Sequence, residues 1–140
     1  TNGSNLKGTH AMTTYTGGCL CGSIRYTATG EPSRPHYCSC KMCQQWSGAP
    51  VVAWVDFPRN ALSWDGPGGE PSVYRSSEMA KRGFCTQCGG TLFALDDGAD
   101  TICMTTATLD NPDSHIPESH SFADAAPAWL HVTTKATSNS

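Results

Sequence analysis

Hydrophobic and polar residues alternate along this chain in short runs, and no run keeps a helical period for more than a turn or two. Ser23-Ile-Arg-Tyr-Thr-Ala28 alternates as a half-buried strand does. Val51-Val-Ala-Trp-Val55 is a compact apolar run and predicts a buried strand. Ala61-Leu-Ser-Trp64 and Ser72-Val-Tyr-Arg75 flank a Gly/Pro-rich stretch at 65–71, which predicts a hairpin. Residues 91–95 and 101–108 predict a second hairpin across Asp96-Asp-Gly-Ala-Asp100. Trp129-Leu-His-Val132 predicts a last short strand, residues 30–35 a turn-rich link, and residues 40–46 a single helical turn. Residues 1–11 precede Met12 without any pattern and read as an expression-tag remnant. Residues 134–140 read as a flexible tail, which leaves 12–133 as one mainly β domain.

Composition supports this picture. The 140 residues fit a single domain, 38% of them are hydrophobic, and 14 Gly and 9 Pro suit many turns. The net charge is −3, with 9 Lys+Arg against 12 Asp+Glu, which argues against a nucleic acid held through its phosphates. No apolar run approaches the roughly 18–20 residues of a membrane span, and no secretory signal pattern opens the chain. A cytoplasmic protein is expected, without nucleic-acid or membrane partners.

The 8 cysteines change the picture more than anything else. They fall as Cys19-Leu-Cys21, Cys38-Ser-Cys40-Lys-Met-Cys43 and Cys85-Thr-Gln-Cys88, with Cys103 alone. Spacings of one or two residues suit ligands converging on one ion, and they suit disulfides poorly. Zinc is the expected metal, because it takes soft ligands tetrahedrally; an iron–sulfur cluster is the weaker alternative. The outer pairs both end in Cys-Gly, at Gly22 and Gly89, as knuckle turns do. Cys19, Cys21, Cys85 and Cys88 are therefore expected to form a closed, structural site. Cys38, Cys40 and Cys43 are expected to form an open, catalytic one, unless Cys103 or a histidine supplies a fourth ligand. Cys103 lies in an apolar stretch and reads most simply as a small buried hydrophobe.

Three segments carry a family likeness: Gly17-Gly-Cys-Leu-Cys-Gly-Ser-Ile-Arg-Tyr26, Cys38-Ser-Cys40-Lys-Met-Cys43 and Arg82-Gly-Phe-Cys-Thr-Gln-Cys-Gly-Gly-Thr-Leu92. With Ala107-Thr-Leu-Asp-Asn-Pro112, Pro117-Glu-Ser-His120 and Trp129, they resemble the glutathione-dependent formaldehyde-activating enzyme family, which also includes the centromere protein V domain. The resemblance implies an Mss4-like fold, β-sheets with zinc-binding knuckles. It implies the same division of cysteines, four structural and three catalytic. It also implies a carbon–sulfur lyase acting on S-(hydroxymethyl)glutathione chemistry.

The expected chemistry follows from the ligands. Three thiolates on Zn²⁺ carry a net charge near −1, so such a zinc acidifies water less than a three-histidine zinc and suits an incoming thiolate better. A substrate thiol, glutathione or a similar one, would complete the tetrahedron and attack a small carbonyl. Gln44, Gln45, Trp46, Ser47 and Trp54 are candidate pocket residues, though ordinary packing or surface is the blander reading for each. Lys81 and Arg82 read first as a solvated pair and second as anchors for a substrate carboxylate. His120 is a candidate proton carrier. The competing functions are a hydrolase on the same zinc, a redox enzyme with Cys103 as nucleophile on the similar fold of methionine sulfoxide reductase B, and a non-catalytic zinc-stabilised binding module.

Overall fold

A computed structural model describes residues 13–135. The segment read as a tag remnant and the last five residues of the expected tail lie outside the described residues. The chain is mainly β. Its elements are β1 (Thr14–Gly18), β2 (Arg25–Thr29), β3 (Ser33–Cys38), α1 (Lys41–Ser47), β4 (Val52–Pro58), β5 (Leu62–Trp64), β6 (Ser72–Arg75), β7 (Ala80–Phe84), β8 (Thr91–Asp96), β9 (Thr101–Thr105) and β10 (His120–Ser121). Short 3₁₀ turns join them.

Seven strands form the larger sheet in the order β10-β3-β4-β9-β8-β7-β6, and β1-β2-β5 form the smaller one. The sheets enclose the core between them. Tyr26 and Ala28 of β2 meet Val55 and Phe57 of β4, Leu92, Phe93 and Leu95 of β8, and Ile102 and Met104 of β9. Because strand side chains alternate, each core residue leaves its neighbours on the opposite face of the large sheet. That face carries His36 and Cys38 of β3, Trp54 and Asp56 of β4, Cys103 of β9, Ala94 of β8 and Arg82 of β7. Register aligns four of them in one row, Arg82↔Ala94↔Cys103↔Asp56. One face of the sheet therefore holds the fold together while the other forms the wall of a site.

The hairpin expected across 96–100 forms, with Cys103↔Ala94 and Met104↔Phe93 in register. The hairpin expected from 61–64 and 72–75 does not. β5 pairs with β2, whereas β6 pairs with β7 in the other sheet. The intervening loop lies against the start of β2: Asp65 N donates to Arg25 O at 2.8 Å and Gly68 N to Ser23 O at 2.7 Å. A Cβ on Gly66 would stand 2.7 Å from Arg25 N, so that close approach needs glycine.

The link expected at 30–35 becomes strand from Ser33. Pro35 is accommodated in an irregularity between Ser33 and His36, where its missing N–H breaks no ladder bond. Residues 129–132 form no strand; Leu130 N closes a turn onto Pro127 O at 3.0 Å. The helical turn at 40–46 extends to Ser47 and ends at Gly48, whose φ of 77° places it in the left-handed region. At the start of the expected tail, Tyr37 Oη donates to Thr133 O at 2.8 Å and Lys135 N to Pro117 O at 2.7 Å.

Candidate active site and metal centres

All eight cysteines are free thiols, and seven of them gather into two groups. In the first, Cys19 and Cys21 at the end of β1 face Cys85 and Cys88 at the end of β7, and the four Sγ atoms lie within 4.8 Å of one another. Cys19–Cys21 and Cys21–Cys85 are separated by 3.7 and 3.8 Å. Four sulfurs at about 2.3 Å from a single zinc lie about 3.8 Å apart, so the donors fit a tetrahedral zinc. The knuckle turns do what the Cys-Gly pairs suggest. Ile24 N donates to Cys19 Sγ and Gln87 N to Cys85 Sγ, each at 3.3 Å, while Gly22 and Gly89 hold φ of 82° and 75°. Backbone hydrogen bonds from Cys21 and Gly90 bring the Cys88 thiol down to about 6. Burial opposes ionisation of Cys19, yet the Ile24 amide and the Cys85 and Cys21 thiols hold it below the ordinary thiol value as well, and thiolate is the form that binds a cation.

The second group is Cys38 at the end of β3, Cys40 at the cap of α1, and Cys43 in its first turn, with Sγ atoms again within 4.8 Å. The Cys40 sulfur accepts from Cys43 N at 3.3 Å, which is the helix cap itself. Burial raises Cys38 to about 12 and also raises Cys43. Burial opposes ionisation of Cys40 too, yet the Cys43 amide, the neighbouring thiols and the Arg82 charge hold it below the ordinary thiol value. Three convergent soft donors fit a zinc with one position left over.

This group lies in the wall of an open cavity of about 390 Å³, whose wall also includes Arg34, His36, Trp54, Asp56, Arg82, Cys103 and Phe122. Arg82 is only 8% exposed, so it does not belong to a solvated pair. Its guanidinium lies 3.6 and 3.7 Å from Cys43 Sγ and stacks over Trp46 and Trp54, with 4.9 and 5.6 Å to the ring centroids. The two indoles are themselves parallel, 5.9 Å apart at 8°. Among the described residues no acidic partner is recorded for Arg82, and its charge faces thiols.

Of the other pocket candidates, Trp54 lines the cavity and Trp46 backs it. Gln44 instead donates to Ser39 O and Ala125 O, and Ser47 to Cys43 O, so both serve local structure. His120 Nε2 sits 2.7 Å from Ser39 Oγ, whose own proton goes to Pro50 O, and the cavity wall takes its neighbours Ser121 and Phe122 instead. Cys103 stands apart from the three-thiol group in the same wall. Burial and the facing Asp56 push its thiol well above the usual range, which makes it a poor nucleophile.

Asp56 escapes sequence reasoning, and His36, which a reading of the sequence sets aside as a lone histidine near the cluster, lines the cavity. His36 precedes the cluster by two residues on the same strand face, a period-two signal that a lone histidine does not announce. Its Nδ1 donates to Arg34 O at 2.6 Å, which makes Nε2 the acceptor of the neutral ring. Asp56 has no local signal at all; only the strand register brings it opposite Cys103.

Among the described residues, no helix is long and apolar enough to cross a membrane. A crystal structure of a Rhodobacter sphaeroides protein has the same fold, with a TM-score of 0.58 at 20% identity over 76% of this chain and 99% of that one. An uncharacterized lyase of Schizosaccharomyces pombe is 35% identical over 88 residues. That match takes in 62% of this chain and spans 62% of the length of the relative. The family model described as glutathione-dependent formaldehyde-activating enzyme matches residues 14–125, which include both thiol groups and every strand of both sheets. The chain belongs to the glutathione-dependent formaldehyde-activating enzyme family.

Proposed function

We propose that this protein is a zinc-dependent lyase of the carbon–sulfur type that joins a glutathione-like thiol to a small aldehyde, or separates them. In this reading Cys38, Cys40 and Cys43 hold the catalytic zinc, while Cys19, Cys21, Cys85 and Cys88 hold a structural one. The observation that carries it is the contrast between four thiols that close on themselves and three thiols in the wall of an open cavity. Bound zinc would supply a fourth position at which a substrate sulfur is held as thiolate near neutral pH.

The chain's own residues do the rest. Arg82 sets one positive charge against Cys43, offsetting the net negative charge of three thiolates around a dication, so a further anionic sulfur is not repelled. Trp46 and Trp54 hold the guanidinium flat and dry. In the net reaction a carbon–sulfur bond forms as the carbonyl π bond opens. The proton leaves the thiol and ends on the former carbonyl oxygen, with no redox change. His36 is placed to carry that proton, because its Nδ1–H is spent on Arg34 O and its Nε2 remains an acceptor in the cavity wall. Free thiols of this kind also suit a reducing, cytoplasmic setting.

The test is to load the protein with zinc, add glutathione and formaldehyde, and follow S-(hydroxymethyl)glutathione. In parallel, cobalt-substituted protein should change its spectrum on addition of thiol. An unchanged spectrum together with no product above the uncatalysed rate overturns the proposal.

A further inference from the structure

Among the described residues, two non-glycine residues have positive φ: Arg34 at 51° and Phe122 at 55°. Both line the cavity of the three-thiol group. Neither a long charged side chain nor an aromatic one favours this backbone region, which glycine and asparagine tolerate. Strain of this kind persists where the surroundings over-determine it, and it gathers at ligand-binding positions.

The surroundings here do over-determine it. Arg34 sits in the irregularity of β3 between Ser33 and His36, and His36 Nδ1 donates to its carbonyl. A bulge of this type re-aims a side chain. Phe122 follows β10, which pairs in parallel with β3 at His120↔Tyr37 and Ser121↔Cys38. On its far side Ala125 O accepts from Gln44 Nε2 at 3.0 Å. The segment is thus pinned before and after Phe122, while the ring itself is 62% exposed. Core packing does not explain why phenylalanine occupies this position.

Arg34 is also suited to bind an anion. Its side chain is 69% exposed, and its Nε lies 3.6 Å from Oδ2 of the buried Asp56. That contact orients the side chain without a hydrogen bond. The paired Nη groups, which grip a planar carboxylate through two parallel hydrogen bonds, take no part in it. With Asp56 beside it the local charge is near zero, which favours a monoanionic carboxylate over a doubly charged phosphate.

We propose that Arg34 and Phe122 form the substrate-selecting rim of the cavity, Arg34 binding the carboxylate of an acidic thiol and Phe122 covering its apolar stem. The inference rests on the thiol chemistry proposed above and adds the residues that choose among thiols. Strain is retained at both positions because these two side chains, in these two directions, recognise the substrate.

The experiment compares the zinc-loaded protein with its Arg34→Asn and Phe122→Asn variants, both of which suit the left-handed backbone. Binding of glutathione and of 2-mercaptoethanol is measured by calorimetry, turnover of each with formaldehyde is followed, and thermal midpoints are recorded. Arg34→Asn should weaken glutathione about tenfold or more and leave the uncharged 2-mercaptoethanol unchanged. Phe122→Asn should weaken glutathione about threefold and hold or raise the thermal midpoint. Equal losses for the two thiols with Arg34→Asn, or a lowered midpoint with unaltered glutathione binding for Phe122→Asn, overturn the rim while the thiol chemistry stands. Glutathione binding that depends on Arg34 in a protein with no turnover supports the rim and overturns the chemistry.

Discussion

The two thiol groups differ less in their sulfurs than in what surrounds them. The four-thiol group joins the ends of β1 and β7, turns backbone N–H groups inward onto its sulfurs, and presents Leu20, 91% exposed, to solvent. The three-thiol group joins the end of β3 to the start of α1 and receives a buried guanidinium, two stacked indoles and a cavity. Zinc with four thiolates would carry a charge near −2 and have no position to offer, and the nearby Arg25 is paired with Asp110. Zinc with three thiolates and Arg82 would be near neutral with one position open. Closure suits a cross-link, and an open position beside a fixed cation suits chemistry.

The comparison breaks most visibly at the closed group. Cys85→Ser should remove one zinc per chain and lower the thermal midpoint by more than about 10 °C, because this group ties residues near 20 to residues near 86. Metal analysis with thermal unfolding checks it; a variant that unfolds like the parent would show that the group is not structural. Cys40→Ser should do the reverse, removing the second zinc and abolishing turnover while lowering the midpoint by less than about 5 °C. Full activity in that variant would relocate the site.

Arg82 provides the sharper test of why the groups differ. Arg82→Met keeps an apolar stem against the indoles but deletes the charge, and should lower zinc affinity at the open group and kcat/KM by about 10–100-fold. Arg82→Lys should recover part of this. Zinc at the closed group should stay, so two-phase metal release, one phase shifted and one not, is the expected readout.

The smallest effect lies outside both groups. His115 is buried against Tyr15 and Phe57, its Nε2 has no hydrogen-bond partner among the described residues, and burial lowers its pKa below 6.5. The unfolded chain then binds the proton better than the folded one. Stability should be unaffected above the ordinary histidine value, begin to fall as pH drops through about 6.5, and reach its full loss below the depressed folded value. Metal held at either thiol group would also be lost on acidification, so the measure is a difference. His115→Phe should lose about 2 °C less than the parent between pH 7 and 5, and equal losses would refute it.

Much of this was legible in the chain. Cys-x-Cys and Cys-x-x-Cys spacings with a following glycine specify local turns, and a turn is a property of a few adjacent residues. The grouping of Cys19 and Cys21 with Cys85 and Cys88 could be read because both halves carry the same turn chemistry. The β8–β9 hairpin was readable for the same reason: its turn and its strands are contiguous. The pairing of β5 with β2 was not readable, because backbone contacts from Gly66 and Gly68 carry the loop along β2 rather than back on itself. Arg82 was the largest miss among side chains. An arginine beside a lysine looks solvated until β7↔β8 register places it over Cys43.

The sequence alone determined which atoms can bind metal, how they are divided, and that strands would carry them, since sulfur donors and turn residues act through short stretches of chain. The tertiary structure alone decided that the three thiols share one cavity with His36, Asp56, Cys103 and Arg82, and that Arg34 and Phe122 line the same cavity. Those neighbours come from strands more than sixty residues apart, and their meeting depends on register and on the alternation of faces, which only the paired sheet fixes.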